Sequence, residues 1–141
     1  MYSQIEIDSQ FQGKLQLIYL NLPDSYNSLT QVMLGELRNA VHKFSNDDNV
    51  RCIAIAGKGK AFCAGQNLKE ALGFDDEDRT IQRFVIEYYN PLVLEILKCK
   101  KPVIALVNGA AVGAGAMLAL ICDFTLATES SDFSFLFSNI R

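Results

Sequence analysis

The chain has 141 residues, half of them hydrophobic and 21% charged, with a formal net charge of −3. That is ample apolar material for one core and argues against wholesale disorder. The acidic balance gives no electrostatic reason to expect nucleic acid or an anionic membrane as partner. Cys52, Cys63, Cys99 and Cys122 show no CxxC spacing and are joined by a single histidine, His42, so no metal site is expected. Free thiols beside apolar runs fit a reducing compartment, and MYSQIEIDSQ has no basic-then-apolar leader, so a cytoplasmic location is expected.

Ile5-Glu6-Ile7-Asp8 alternates, and so does Leu15 to Leu20 after Gln12-Gly13-Lys14, which predicts a hairpin. Asn21 to Ser28 is a loop turning at Pro23-Asp24-Ser25. Thr30 is placed to cap a helix to about Ser45, whose apolar side is Met33, Leu34, Leu37, Val41 and Phe44. His42 falls beside that face and reads as a surface or edge residue. Asn46 to Asn49 stops the helix, and Val50 to Ala56 reads as a buried strand. It leaves through the glycines of GKGKAFCAGQNLKEAL, with a helix expected from Gln66 or Asn67. Gly73 to Arg79 reads as an acidic, solvated loop. From Thr80 the spacing of Ile81, Phe84, Val85 and Tyr88 is helical, and Pro91 either kinks this helix or starts a second one capped by Asn90.

Lys100-Lys101-Pro102 then opens a short apolar strand, Val103 to Val107, broken by Asn108-Gly109. Gly113-Ala114-Gly115 leads into a second apolar run, Ala116 to Cys122, which reads as a buried helix; its glycines argue against a membrane span. Phe124 to Thr128 is a further strand, and Asp132 to Phe135 begins another ordered segment. Strands alternating with helices define an α/β class.

One device occurs twice. Lys60 to Gln66 and Gly109 to Gly115 each take a buried strand through glycines to a helix, a geometry that aims unpaired N–H groups and a partial positive charge forward. Tight strand–helix packing with no ligand needs the same residues, and the Gly113 stretch alone does not choose between the two. Two such loops converging on one point would make an oxyanion hole.

AFCAGQNLKE, followed further on by KPVIALVNGAAVGAGAMLALICD, resembles the crotonase (enoyl-CoA hydratase/isomerase) superfamily, with the hairpin, the SYNSL loop and the first helix also fitting. The resemblance implies a crotonase-like fold of stacked strand–strand–helix (ββα) turns, residues 1–141 being its N-terminal part. It also implies an acyl-CoA thioester as substrate, no cofactor besides it, and a homotrimer or hexamer. By motif position the oxyanion N–H groups belong to Gln66 and Ala114, with Gly65 and Gly113 directly before them. The segment Ala64, Gly65, Gln66, Asn67, Leu68 and Lys69 would border coenzyme A, as would the Ser25-Tyr26-Asn27 loop. Lys58, Lys60 or Lys69 are candidates for the phosphates. Asn67 stands where the family usually has Asp, a change expected to alter a local hydrogen bond.

The resemblance also bears on the chemistry. The glutamates with which hydratases of the family handle water fall, by position, on Met117 and Phe137, and neither transfers a proton. FCAGQ and Gly-Ala-Gly instead resemble the isomerase branch, in which a single acidic residue after a proline shuttles the proton; that position is expected beyond Arg141. Asp123 is expected to be a structural hydrogen-bond partner, and Glu129 and Asp132 loop residues. The reaction implied is a double-bond shift or an epoxide ring opening through a thioester enolate, and the 141 residues alone are expected to be inactive. A non-catalytic acyl-CoA-binding or oligomer-building homologue, or a hydratase with a displaced base, fits the same motifs.

Overall fold

Alternation builds the first hairpin. In a computed structural model describing residues 1–71 and 77–135, without the side chains of 77–80, β1 (Ile5–Gln10) and β2 (Leu15–Leu20) pair antiparallel from Ile5↔Leu20 to Gln10↔Leu15. Phe11, Gln12 and Gly13 reverse the chain at φ values of 51°, 57° and 85°. Ile18 and Leu20 point into the core. Gln16 points the same way, and its amide donates to Ser9 Oγ and Gly13 O, both at 2.9 Å, so the buried polar group is satisfied.

Helix α1 (Gln31–Ser45) starts where Thr30 accepts a hydrogen bond from Met33 N at 3.0 Å. Met33, Leu34, Leu37, Val41 and Phe44 are all buried, each contributing roughly 1.5–3 kcal/mol. His42 on the exposed side pairs with Glu95 at 2.8 Å. Glu36 ties the helix to the start of β1: its carboxylate accepts from Ser3 N (2.7 Å), Ser3 Oγ (2.9 Å), Gln4 N (2.8 Å) and Ile5 N (3.2 Å). Nothing in the sequence pattern marks that contact.

Strand β3 (Cys52–Gly57) lies parallel to β2, β4 (Val103–Val107) parallel to β3, and β6 (Phe124–Ala127) parallel to β4. The sheet order is β1-β2-β3-β4-β6. Ile53, Ala54, Ile55 and Ala56 are all buried, which accounts for the unbroken apolar run of β3. At the edge, Phe124 and Leu126 on β6 are 63% and 61% exposed.

Between β3 and β4 come α2 (Leu68–Ala71), α3 (Glu77–Phe84), a π-helical turn (Val85–Tyr89) and α4 (Asn90–Leu97), whose Leu92 and Ile96 reach the core shared with α1. Two expectations change here. Helix α3 begins inside the stretch read as an acidic loop; acidic residues suit the positive end of a helix. The rest of that stretch, residues 73–76, lies outside the described residues. Asn90 does not cap a new helix: it is itself helical (φ −57°, ψ −45°), and its N–H reaches Val85 O. Pro91 has no N–H to give, and the chain passes it through one widened turn.

After β4 the chain forms β5 (Ala111–Val112), helix α5 (Ala114–Ile121), β6 and β7 (Phe133–Ser134); β5 and β7 make a separate two-stranded parallel sheet. Asp123 has the structural role expected of it, exchanging hydrogen bonds with Val103: Asp123 Oδ2 accepts from Val103 N and Asp123 N donates to Val103 O, both at 2.8 Å.

Burial pushes the Glu36 carboxyl up, but the hydrogen bonds from Ser3, Gln4 and Ile5 outweigh it and hold the group below the ordinary glutamate range. A lowered folded-state pKa stabilises the fold above the unfolded value, and that contribution is lost as pH falls through the folded one. Glu36→Ala is therefore expected to cost about 1–2 kcal/mol in urea unfolding at neutral pH. The difference from wild type should shrink towards zero in acid; a gap independent of pH would rule out the carboxylate as its source.

Candidate functional site

Two chain reversals lie against each other at the ends of β3 and β4. Phe62 N and Cys63 N donate to Ala110 O at 3.0 and 3.2 Å, and Val112 N returns to Cys63 O at 2.9 Å. Backbones this close leave no room for side chains. A Cβ on Gly115 would lie 2.3 Å from Cys63 O, and one on Gly65, which sits at φ 91°, would lie 2.7 Å from Val112 O. Two asparagines hold the first reversal. Asn27, fully buried, accepts from Leu22 N (2.9 Å) and donates to Lys58 O (2.9 Å) and Ala61 O (3.0 Å). From the opposite side Asn108 accepts from Gly57 N (2.9 Å) and donates to Gly59 O (3.3 Å) and Ala61 O (3.4 Å).

This frame brings Gln66 and Ala114 to the wall of one cavity of about 530 Å³. Leu29 bridges Gln66 in parallel, taking Gly65 O (2.7 Å) as acceptor and Asn67 N (3.0 Å) as donor. That pattern turns the N–H of Gln66 itself away from Leu29. Ala114 opens α5, so its N–H has no acceptor within the helix. Among the described residues neither N–H meets an acceptor. Apart from Tyr89, the rest of the wall among the described residues is apolar, including Leu34, Phe84, Leu92 and Leu118, and no carboxylate lines it there. Met117, read in isolation as core packing, stands in this wall and is 48% exposed. Phe137 lies outside the described residues.

Sequence reasoning missed Tyr89, which also lines the cavity and whose hydroxyl donates to Gln66 Oε1. Burial first, then the neighbouring Cys63 and Glu70, push this phenol up, so it remains a donor. The signal was a second tyrosine beside Tyr88, one place off the helical pattern being followed.

The other candidates distribute around this pair. Leu68 is exposed on the cavity rim, and Gly113, at φ 55°, precedes Ala114 and donates to Ser134 O at 2.8 Å. Ala64 N donates to Tyr26 O at 2.9 Å, so the turn holding Ser25 lies against the first reversal. Tyr26 is exposed, whereas Asn27 faces inward and offers nothing to a ligand. Asn67 donates to Ser28 Oγ (2.9 Å) and accepts from Glu70 N (3.2 Å), capping α2. Lys60 and Lys69 are exposed; Lys58 turns to the hairpin, with its ammonium 3.1 Å from Glu6 and 4.3 Å from the centre of the Tyr19 ring. Glu129 and Asp132 are exposed and line no part of the cavity.

The model of one family, enoyl-CoA hydratase/isomerase, matches residues 10–140. The chain belongs to that family. It is 37% identical over 138 residues to the 1,2-epoxyphenylacetyl-CoA isomerase of Escherichia coli K12, covering 94% of this chain and 51% of the relative. Among solved structures, an enoyl-CoA hydratase from Bacillus anthracis matches with a TM-score of 0.84 at 34% identity, over 93% of this chain and 50% of that one. An enoyl-CoA hydratase from Mycobacterium smegmatis matches with a TM-score of 0.84 at 32% identity, over the same shares. The α/β architecture is therefore that of the crotonase family, and the chain spans about half the length of the relatives it matches. Among the described residues no helix is long and apolar enough to cross a membrane.

The frame has a measurable consequence for its cysteines. Burial pushes the Cys63 thiol up to about 12, against a hydrogen bond from Gly65 N–H; burial and then Asp123 push Cys122 up to about 12. Raised thiols carry almost no thiolate at pH 8. Iodoacetamide at that pH should leave both unmodified in the native protein and alkylate both after denaturation, as read by peptide mass spectrometry. Rapid native labelling of Cys63 would mean that the two reversals separate in solution.

Proposed function

We propose that this chain carries the oxyanion hole and much of the acyl-binding wall of an acyl-CoA isomerase. One observation carries the reading: two backbone N–H groups, of Gln66 and Ala114, border a single apolar cavity and have no acceptor among the described residues. In use they hydrogen-bond the thioester oxygen. As a base removes a proton from the carbon next to the carbonyl, the bonding electrons move onto that oxygen, and the two donors stabilise the enolate. Returning the proton at a different carbon shifts the double bond. The apolar wall excludes water and strengthens the donors' effect. Ala64, Gly65, Asn67, Leu68 and Lys69, together with the Ser25 turn and Gly113, form the coenzyme A rim. The thioester is substrate, and no further cofactor enters the chemistry.

Isomerisation is preferred to hydration because Met117, one helical turn beyond Ala114, is a thioether where hydration needs a proton-transferring group. The base is expected from residues beyond the described ones. The exposed edge β6 and the exposed Phe133 fit a full-length protein that assembles as a homotrimer or hexamer. Its place of work is proposed to be the cytoplasm.

The decisive variant is Ala114→Pro in the full-length gene product. Proline removes the N–H at the first helical position, where the helix tolerates it. Turnover of a 3-enoyl-CoA should fall roughly a hundredfold to a thousandfold while the melting temperature changes little. Wild-type protein should isomerise 3-enoyl-CoA far faster than it hydrates crotonyl-CoA; the opposite ratio would make it a hydratase. Tight acyl-CoA binding without either reaction would make it a non-catalytic binder.

A further inference from the structure

The acyl cavity holds one polar pair that the proposed chemistry does not use. Val85, Tyr89, Leu92 and Val93 line it from the helical side, and of these only Tyr89 brings a polar atom. That hydroxyl donates to Gln66 Oε1, while Gln66 Nε2 donates to Asn67 O at 3.3 Å. The Gln66 side chain is thus fixed at both ends, and its carbonyl has no other donor among the described residues. Asn67 is fixed in turn by Leu29 O (3.0 Å) and Ser28 Oγ (2.9 Å). The chain of contacts runs from the π-helical turn to the peptide whose N–H borders the cavity.

We infer that Tyr89 is a positioning residue: its phenol holds the Gln66 amide away from the thioester oxygen and keeps the Gln66 peptide aimed at it. The inference rests on the oxyanion role proposed for Gln66. Without the hydroxyl, the Gln66 carbonyl stands unpaired against an apolar wall, which is costly. The amide then turns to find a partner. Its own NH2 group becomes a competing, flexible donor to the substrate oxygen, and the preorganised backbone donor loses its fixed direction. The π-helical turn ending at Tyr89 is what brings this residue, rather than an apolar neighbour, to that point of the wall.

The test uses the full-length gene product with 4-(dimethylamino)cinnamoyl-CoA, a chromophoric thioester whose absorption moves to longer wavelength when its carbonyl is polarised. Wild type should shift the probe on binding. Tyr89→Phe should bind it with similar affinity but a smaller shift, and should lower kcat on a 3-enoyl-CoA about threefold to tenfold with KM nearly unchanged. Gln66→Leu removes the same bond from the other end while keeping the backbone N–H, and should reproduce the smaller shift; it also decides the matter if Tyr89→Phe folds poorly. Adding Tyr89→Phe to Gln66→Leu should change nothing further. A full shift and full kcat in Tyr89→Phe, or additive losses in the double variant, overturns the positioning role alone. No shift in wild type overturns it together with the oxyanion reading beneath it.

Discussion

Everything at this site depends on two stretches of backbone being allowed to touch. The reversal after β3 and the reversal after β4 share hydrogen bonds through Ala110 and Cys63, and the approach is so close that a methyl group on Gly115 would sit 2.3 Å from a carbonyl oxygen. No side-chain adjustment relieves a clash with backbone. Once the glycines permit contact, Asn27 and Asn108 fix its register, both donating to Ala61 O. Each neutral hydrogen bond is worth only about 1 kcal/mol net, but leaving several buried carbonyls unpaired would cost considerably more. The asparagines therefore act chiefly by making the alternatives unfavourable.

Building a polar site from main chain has a physical advantage over building it from side chains. A peptide N–H held by a strand bridge on one side and a helix start on the other has no rotamers to lose when a ligand arrives. It can face an apolar cavity because its ligand, rather than a neighbouring residue, supplies the acceptor. The wall can then consist of Leu34, Phe84, Leu92 and Met117, chosen for shape, without compromising the donors. In the proposed function, such an arrangement would separate recognition of the thioester carbonyl from recognition of the hydrocarbon attached to it.

Much of this was legible in the sequence wherever a local rule governs. The hairpin followed from alternation, α1 from Thr30 and its apolar face, and β4 and α5 from an apolar run cut by Asn108 and Gly113. The glycines marked two tight loops, but the assignment of Gln66 and Ala114 within them came from the resemblance to the crotonase family; both residues line one cavity. What escaped was tertiary. Glu36, which reads as an ordinary polar residue, gathers the first residues of the chain, and Asn27, expected along coenzyme A, turns inward to bind Leu22 N of its own loop and Lys58 O and Ala61 O of the neighbouring reversal. Pro91 left a kink and a new helix equally open because proline breaks the ordinary helical ladder, and a widened turn carries the chain past it without an Asn90 cap. Tyr89 went unseen because its partner, Gln66, is distant in sequence and its importance arises only once the cavity exists.

Asn108 precedes Gly109, and an asparagine before glycine is the sequence most prone to lose its amide, because nothing hinders attack by the following nitrogen on the side-chain carbonyl. Here that carbonyl accepts from Gly57 N while the amide nitrogen points at Gly59 O and Ala61 O, so the side chain is held and cannot freely swing into the attacking geometry. Conversion to aspartate would replace a donor by a negative oxygen facing two carbonyl oxygens, turning attraction into repulsion at the seam between the reversals. The same bonds that align the site thus also govern how it ages. Chemical wear at this residue would weaken the seam between the two loops.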